Sequence, residues 1–108
     1  DRFDTFWRIL YDVKADVILN GHDHDYERFA PQTPDAQPEP ERGIREFVVG
    51  TGGAPSYAFK TIRANSEKRL TLLFGVLKLT LHADSYDWEF IPVRDDLPSD
   101  AGHAECVK

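Results

Sequence analysis

His22 and His24 stand one residue apart in Asn20-Gly21-His22-Asp23-His24-Asp25-Tyr26-Glu27-Arg28, directly after the apolar run Val17-Ile18-Leu19. In an extended segment, residues i and i+2 point the same way with Cα atoms about 6.5 Å apart. Two imidazoles so placed can close on one ion, or each can hold one of two ions about 3.5 to 4 Å apart. Asp23 then points away. Neutral imidazole suits Zn, Fe, Mn or Ni better than Ca or Mg. A ligating ring passes its other N–H to a carboxylate, carbonyl or water, and Asp23, Asp25 and Glu27 are local candidates for that role. Gly21 is expected to let the backbone leave the strand sharply and bring both rings over its end. The plain alternative is a polar surface loop that happens to carry two histidines.

Two donors do not complete a centre. A catalytic zinc has three protein ligands and an open position, and a dinuclear site also needs a bridging group. Asp16 precedes the pair at the far end of the strand, up to about 20 Å away if the chain is extended. Asp25 alternates to the face opposite His24, so neither it nor Glu27 is a comfortable direct ligand. The remaining donors are expected from outside this chain.

The elements that must carry the pair are legible from periodicity. Residues 4 to 14 place Phe6, Trp7, Leu10 and Val13 on one helical stripe, with Asp4 able to cap the start. The helix delivers the chain into Val17-Ile18-Leu19, an unbroken apolar run of the kind buried on both faces of a sheet, which predicts a central strand in an α/β layer. The histidines then follow a strand's carboxyl end, where open α/β sheets place ligands. Residues 30–43 carry four prolines and predict an exposed loop, either a wall over the site or a solvated connector. "IREFVVG" at 44–50 predicts a strand ended by the Gly-Thr-Gly-Gly turn. That turn lacks the Gly-Lys-Ser/Thr ending of a phosphate-binding loop.

Alternation in "GVLKLTLH" and "YDWEFIPV", joined by Ala83-Asp84-Ser85, predicts an antiparallel hairpin with one covered face. "NSEKRLTLLF", residues 65–74, has no assignable period. His82 is expected on the solvent face, His103 in a tail over 96–108, and Cys106 as a mobile tail thiol or a tether to another segment.

At 108 residues the chain fits one domain, and 41% hydrophobic content with 12% aromatics fits a globular one. A net charge of −6 argues against a nucleic-acid or anionic-membrane grip by this piece. No apolar run approaches a membrane span. The sequence contains no methionine, so residue 1 is expected to be an internal position, with any targeting signal upstream.

With its flanks, "GHDHDYER" resembles the Gly-His-x-His-x-Tyr-Glu-Arg block of purple acid phosphatase-like enzymes in the calcineurin-like metallophosphoesterase superfamily. The order of helix, strand, signature loop, "FVVGTGG" and hairpin also resembles the C-terminal part of such a domain, over residues 4 to about 93. The resemblance implies an α/β fold: the C-terminal part of a four-layer αββα sandwich, with one N-terminal helix and a mixed sheet ending in an antiparallel hairpin. Residues 1–95 would be the domain portion and 96–108 the tail.

It further implies two metal ions in the complete enzyme, of Fe, Zn or Mn, with His22 on one and His24 on the other. Asp23, Tyr26, Glu27 and Arg28 would brace the loop or face substrate, Arg28 through pairing with an acid. No residue of this chain is assigned a chemical step. The implied reaction is hydrolysis of a phosphate ester by metal-activated hydroxide. An extracellular or periplasmic setting goes with the resemblance.

The family's other blocks, which carry the bridging carboxylate and remaining ligands, do not occur here. The chain is therefore expected to need the missing N-terminal part of the domain, to bind metal weakly or not at all alone, and to be inactive in isolation. The alternative is a non-catalytic remnant or self-associating binding module. Two other His-x-His hydrolase patterns fit worse. The amidohydrolase pair opens an eight-stranded barrel of about 250 residues, and the metallo-β-lactamase pattern requires Asp and His where Tyr26 and Glu27 stand.

Overall fold

Apolar side chains three and four apart begin the chain as a helix, α1 (Arg2–Asp12), in a computed structural model that describes residues 2–59 and 61–108. Asp4 lies inside the first turn rather than capping it, where its charge still favours the positive end of the helix dipole. The helix stops in a Schellman motif. Ala15 N–H donates to the Leu10 carbonyl at 2.9 Å and Lys14 N–H to Tyr11 at 3.0 Å, with Lys14 left-handed at φ 61°. Trp7 and Leu10 of the expected stripe are half-buried, but Phe6 and Val13 are exposed. Polar contacts pin α1 to the Pro-rich loop instead. Arg8 meets Asp35 at 2.6 Å, the Tyr11 hydroxyl donates to Glu39 at 2.7 Å, and the Arg42 guanidinium lies 4.3 Å from the Tyr11 ring centroid.

The first sheet contains β1 (Val17–Asn20), β2 (Tyr26–Phe29), β3 (Arg45–Val49) and β4 (Ser66–Leu70), in the order β1-β3-β2-β4. β1 runs parallel to β3, while β2 is antiparallel to both β3 and β4. The apolar run is thus a strand, as predicted, but an edge strand and not a central one. β1 pairs with β3 alone and Leu19 is 56% exposed. The β-branched Val17 and Ile18 favour a strand, but which strands flank it is decided by packing partners elsewhere in the chain, so the run carried no information about its neighbours. β4 comes from the stretch without an assignable period, because the consecutive charged residues Glu67, Lys68 and Arg69 mask the strand.

The second sheet contains β5 (Gly75–Leu81), β6 (Ser85–Pro92) and β7 (Asp100–Glu105), all antiparallel in that order. β5 and β6 are the predicted hairpin, but it belongs to this separate sheet. The expected tail is corrected as well: six of its residues are β7. Gly102 makes this possible, since a Cβ there would come within 2.2 Å of the Trp88 indole. Cys106 is not on a mobile end. Its amide donates to the Asp84 carbonyl at 2.8 Å, and its half-buried side chain packs on the core.

The two sheets face each other across Tyr26, Phe47 and Leu70 on one side and Tyr86, Trp88 and Phe90 on the other. The rings of Tyr26 and Phe90 lie 4.7 Å apart, and Phe47 meets Trp88 edge-on at 5.7 Å. Each such side chain, fully buried, contributes about 1.5 to 3 kcal/mol. The molecule is a mixed α/β domain of one helix and two sheets.

The Pro-rich segment forms a loop, closed by bridges from Gln32 to Pro38 and Ile44. It joins β2 to β3 at the sheet end opposite the histidines, so it is not a wall over them. It borders instead a cavity of about 900 Å³ shared with the C-terminal segment.

Candidate metal centre

Because β1 and β3 are parallel, their carboxyl ends lie side by side, and the segments leaving them meet. The Gly50 amide donates to the Asp25 carbonyl at 2.9 Å. Only a residue without a side chain fits at 50, since a Cβ would lie 1.9 Å from the Asp23 carbonyl oxygen. Further along the same segment, the Pro55 carbonyl lies 2.8 Å from His24 Nδ1, and the Tyr57 ring is 6.0 Å from the His24 ring.

The histidine segment is not extended. Asp23 N–H donates to Gly21 C=O at 2.9 Å and Asp25 N–H to Asp23 C=O at 2.9 Å. These are two consecutive three-residue turns, centred on His22 and on His24. His22 has φ 75°, the value of the rarer, strained γ-turn. The sharp exit therefore falls on His22 itself and not on Gly21. A side chain held in such a backbone conformation must be over-determined by its surroundings, here by the clasp of Gly50 against residues 23 and 25.

His24 is the better defined of the two rings. A carbonyl oxygen can only accept, so Nδ1 carries the proton, and in the neutral ring Nε2 presents its lone pair. This is the arrangement that orients a metal-binding imidazole. His22 is exposed.

The acids around them set the local field. Asp25 is buried, and its Oδ1 has no hydrogen-bond partner. Burial, followed by the charges of Asp23 and Glu27, raises its pKa. Burial likewise raises that of Glu46, whose carboxylate accepts from Asn20 at 2.6 Å. Asp23 reaches Arg63 at 3.4 Å. Glu27 is buried and accepts from the Ser66 hydroxyl at 2.5 Å.

Tyr26 and Arg28 point the other way, into the space between the sheets. Tyr26 is fully buried and its hydroxyl donates to Asp100 Oδ2 at 2.6 Å. Burial, reinforced by that bond, raises the phenol pKa. Arg28 makes two bonds to Asp100, at 2.8 and 3.2 Å, and one to Glu67 at 2.5 Å. Burial works to lower the Arg28 pKa but is outweighed by the bond and charge of Asp100. For Asp100, burial is overcome by Arg28 and Tyr26, and its pKa is lowered.

Sequence reasoning missed Asp100, Pro55, Tyr57 and Ser66 as neighbours of the signature segment. Only Asp100 left a trace, a weak two-residue alternation through Asp100, Gly102 and Ala104, which are less exposed than their neighbours.

Among the described residues no three His, Cys, Asp or Glu side chains are arranged to hold a metal ion. What the loop offers is one oriented imidazole, one exposed imidazole and a buried acid with an unpartnered oxygen. No helix among the described residues is long and apolar enough to cross a membrane. Protein-family models, curated proteins and solved structures give no match to this chain.

Proposed function

We propose that this chain contributes one wall of a dinuclear, metal-dependent phosphoesterase centre of the purple acid phosphatase-like kind, with His22 and His24 each donating to one ion of Fe, Zn or Mn. The observation that carries the reading is the His24 Nδ1 contact with Pro55 O at 2.8 Å, which leaves the Nε2 lone pair available to a cation. Asp23 and Glu27 act electrostatically on both Asp25 and Glu46 around the same loop, with Arg63 as the opposing charge. Their summed field attracts a cation and repels an anion that arrives without one. Bound metal ions supply Lewis acidity for attack of water on a phosphate ester. The residues of this chain hold and orient: Pro55 fixes the His24 ring, Gly50 locks the two turns, and Asp100 fixes Tyr26 and Arg28 behind them. The finer fold assignment, the C-terminal part of an αββα metallophosphoesterase sandwich that requires an N-terminal part for activity, belongs to the same proposal.

The test is a Zn²⁺ titration of the chain followed by long-range ¹H–¹⁵N NMR of the imidazoles. His24 Nε2 and His22 are expected to shift, with His22→Ala and His24→Ala each weakening binding by about tenfold or more. Shifts confined to His82 and His103 would remove the proposal.

A second reading, a self-associating binding module, is favoured by one observation. Phe6, Ile9 and Val13 of the helical segment and Leu19 of β1 are 55 to 69% exposed, and β1 has one edge unpaired among the described residues. A light-scattering mass that stays monomeric as concentration rises would exclude it.

A further inference from the structure

Tyr57 is held in place by more than its surroundings require of an exposed loop residue. Its ring is 51% exposed, so packing alone does not explain its position. Three hydrogen bonds in series fix its backbone. The Leu72 amide donates to Ser56 Oγ at 2.7 Å, Ser56 Oγ and Thr71 Oγ1 are 3.1 Å apart, and Thr71 Oγ1 donates to the Tyr57 carbonyl at 2.5 Å. With the last hydroxyl donating onward, the Ser56 hydroxyl donates to Thr71, and the three bonds form a polarised relay. Leu72 takes φ 61° to enter it, and its side chain is 68% exposed. Leucine rarely adopts that conformation. On the other side Pro55, two residues before Tyr57, is tied to His24. A half-exposed phenol ring on a fastened backbone is thus set 6.0 Å from the His24 imidazole.

We propose that Tyr57 is a substrate-positioning residue: its ring is the stacking platform for the planar aromatic group of a phosphate ester whose phosphate lies at the His24 side. An aromatic face accepts another in an offset or tilted arrangement with centroids about 4.5 to 7 Å apart. An aryl phosphate carries its ring directly on the ester oxygen, so ring and phosphate can span adjacent Tyr57 and His24 at once. The acids of the histidine loop add a polarity to this selection. A neutral aromatic can use the platform without metal, whereas an aromatic phosphate gains only when a cation offsets Asp23, Asp25 and Glu27. The position of the phosphate rests on the metal reading of the preceding subsection, but the platform does not.

The test uses saturation-transfer and chemical-shift NMR on the intact chain with three probes: phenol without metal, and phenyl phosphate and glycerol 2-phosphate with Zn²⁺. Phenol and phenyl phosphate are expected to perturb Tyr57, and glycerol 2-phosphate is not. Tyr57→Ala should weaken both aromatic probes by roughly fivefold or more, the low end of what one stacked ring contributes. Tyr57→Phe should bind as the parent does. Aromatic probes that bind Tyr57→Ala as tightly as the parent, or glycerol 2-phosphate that matches phenyl phosphate, would overturn the platform. Phenol on Tyr57 with Zn²⁺ shifts confined to His82 and His103 would support the platform while removing the metal reading, so the two failures are distinct.

Discussion

The Tyr26 hydroxyl donates to Asp100 Oδ2 at 2.6 Å across 74 positions of sequence. With Arg28 on the same carboxylate, this contact fastens the strand that follows the histidines to the last strand of the opposite sheet. The side chains of Arg28 and Asp100 are only 15% and 6% exposed, so the pair is a buried one.

Removing Asp100 leaves Arg28 with Glu67 as its partner and the buried Tyr26 hydroxyl without its acceptor. Asp100→Ala is expected to lower stability by about 1 to 3 kcal/mol, and Tyr26→Phe, which keeps the ring, by about 1 kcal/mol. Urea unfolding measures both. A loss below about 1 kcal/mol for Asp100→Ala would mean that the contact does not anchor β2.

At Gly50 the constraint is steric. Gly50→Ala pushes a methyl into the Asp23 carbonyl and should cost about 1 to 3 kcal/mol. It should also part the two loops, so that the His24 Nδ1–H signal loses the signature of its bond to Pro55. Gly52→Ala, where an added Cβ meets nothing within 4 Å, is the control and should change stability by less than about 0.5 kcal/mol. Equal effects of the two substitutions would refute the close approach.

On the outer face of the second sheet, Asp87 accepts from His82 at 2.8 Å and from His103 at 2.5 Å. The bond to Asp87, and then that to Glu105, raises the His103 pKa. His103 and then His82 lower that of Asp87. The His103 contribution is complete below the ordinary imidazole value and disappears as pH rises through the raised one. The Asp87 contribution is complete above the ordinary carboxylate value and disappears as pH falls through the lowered one. This cross-strand clasp is therefore strongest between about pH 4 and 6.5. Imidazole NMR should show His103 titrating above its ordinary value in the parent and returning toward it in Asp87→Asn. An unchanged midpoint in that variant would rule the clasp out.

What could be read from sequence follows from where each signal resides. The β5–β6 hairpin was legible because Leu77 and Leu79 alternate with polar residues against Tyr86, Trp88 and Phe90, a pattern local to both strands. β1 was legible as a strand, but its edge position depends on which strands flank it, and no residue of β1 encodes that. β7 was hidden because Asp, Ala and Gly have low strand propensity. It forms through the Gly102 contact with Trp88 and the Asp100 bonds, all of them distant in sequence. The histidine pair was legible as chemistry, yet its backbone was not, since the left-handed φ at His22 is imposed by the crowding of Gly50 against residue 23.

The reach of the Tyr26–Asp100 bond bears on vectorial synthesis. Domains assemble as the polypeptide is made, amino end first. The signature strand must wait for an acceptor made 74 positions later, so a nascent chain stalled short of Asp100 would display its histidine turns on an unsecured half-layer.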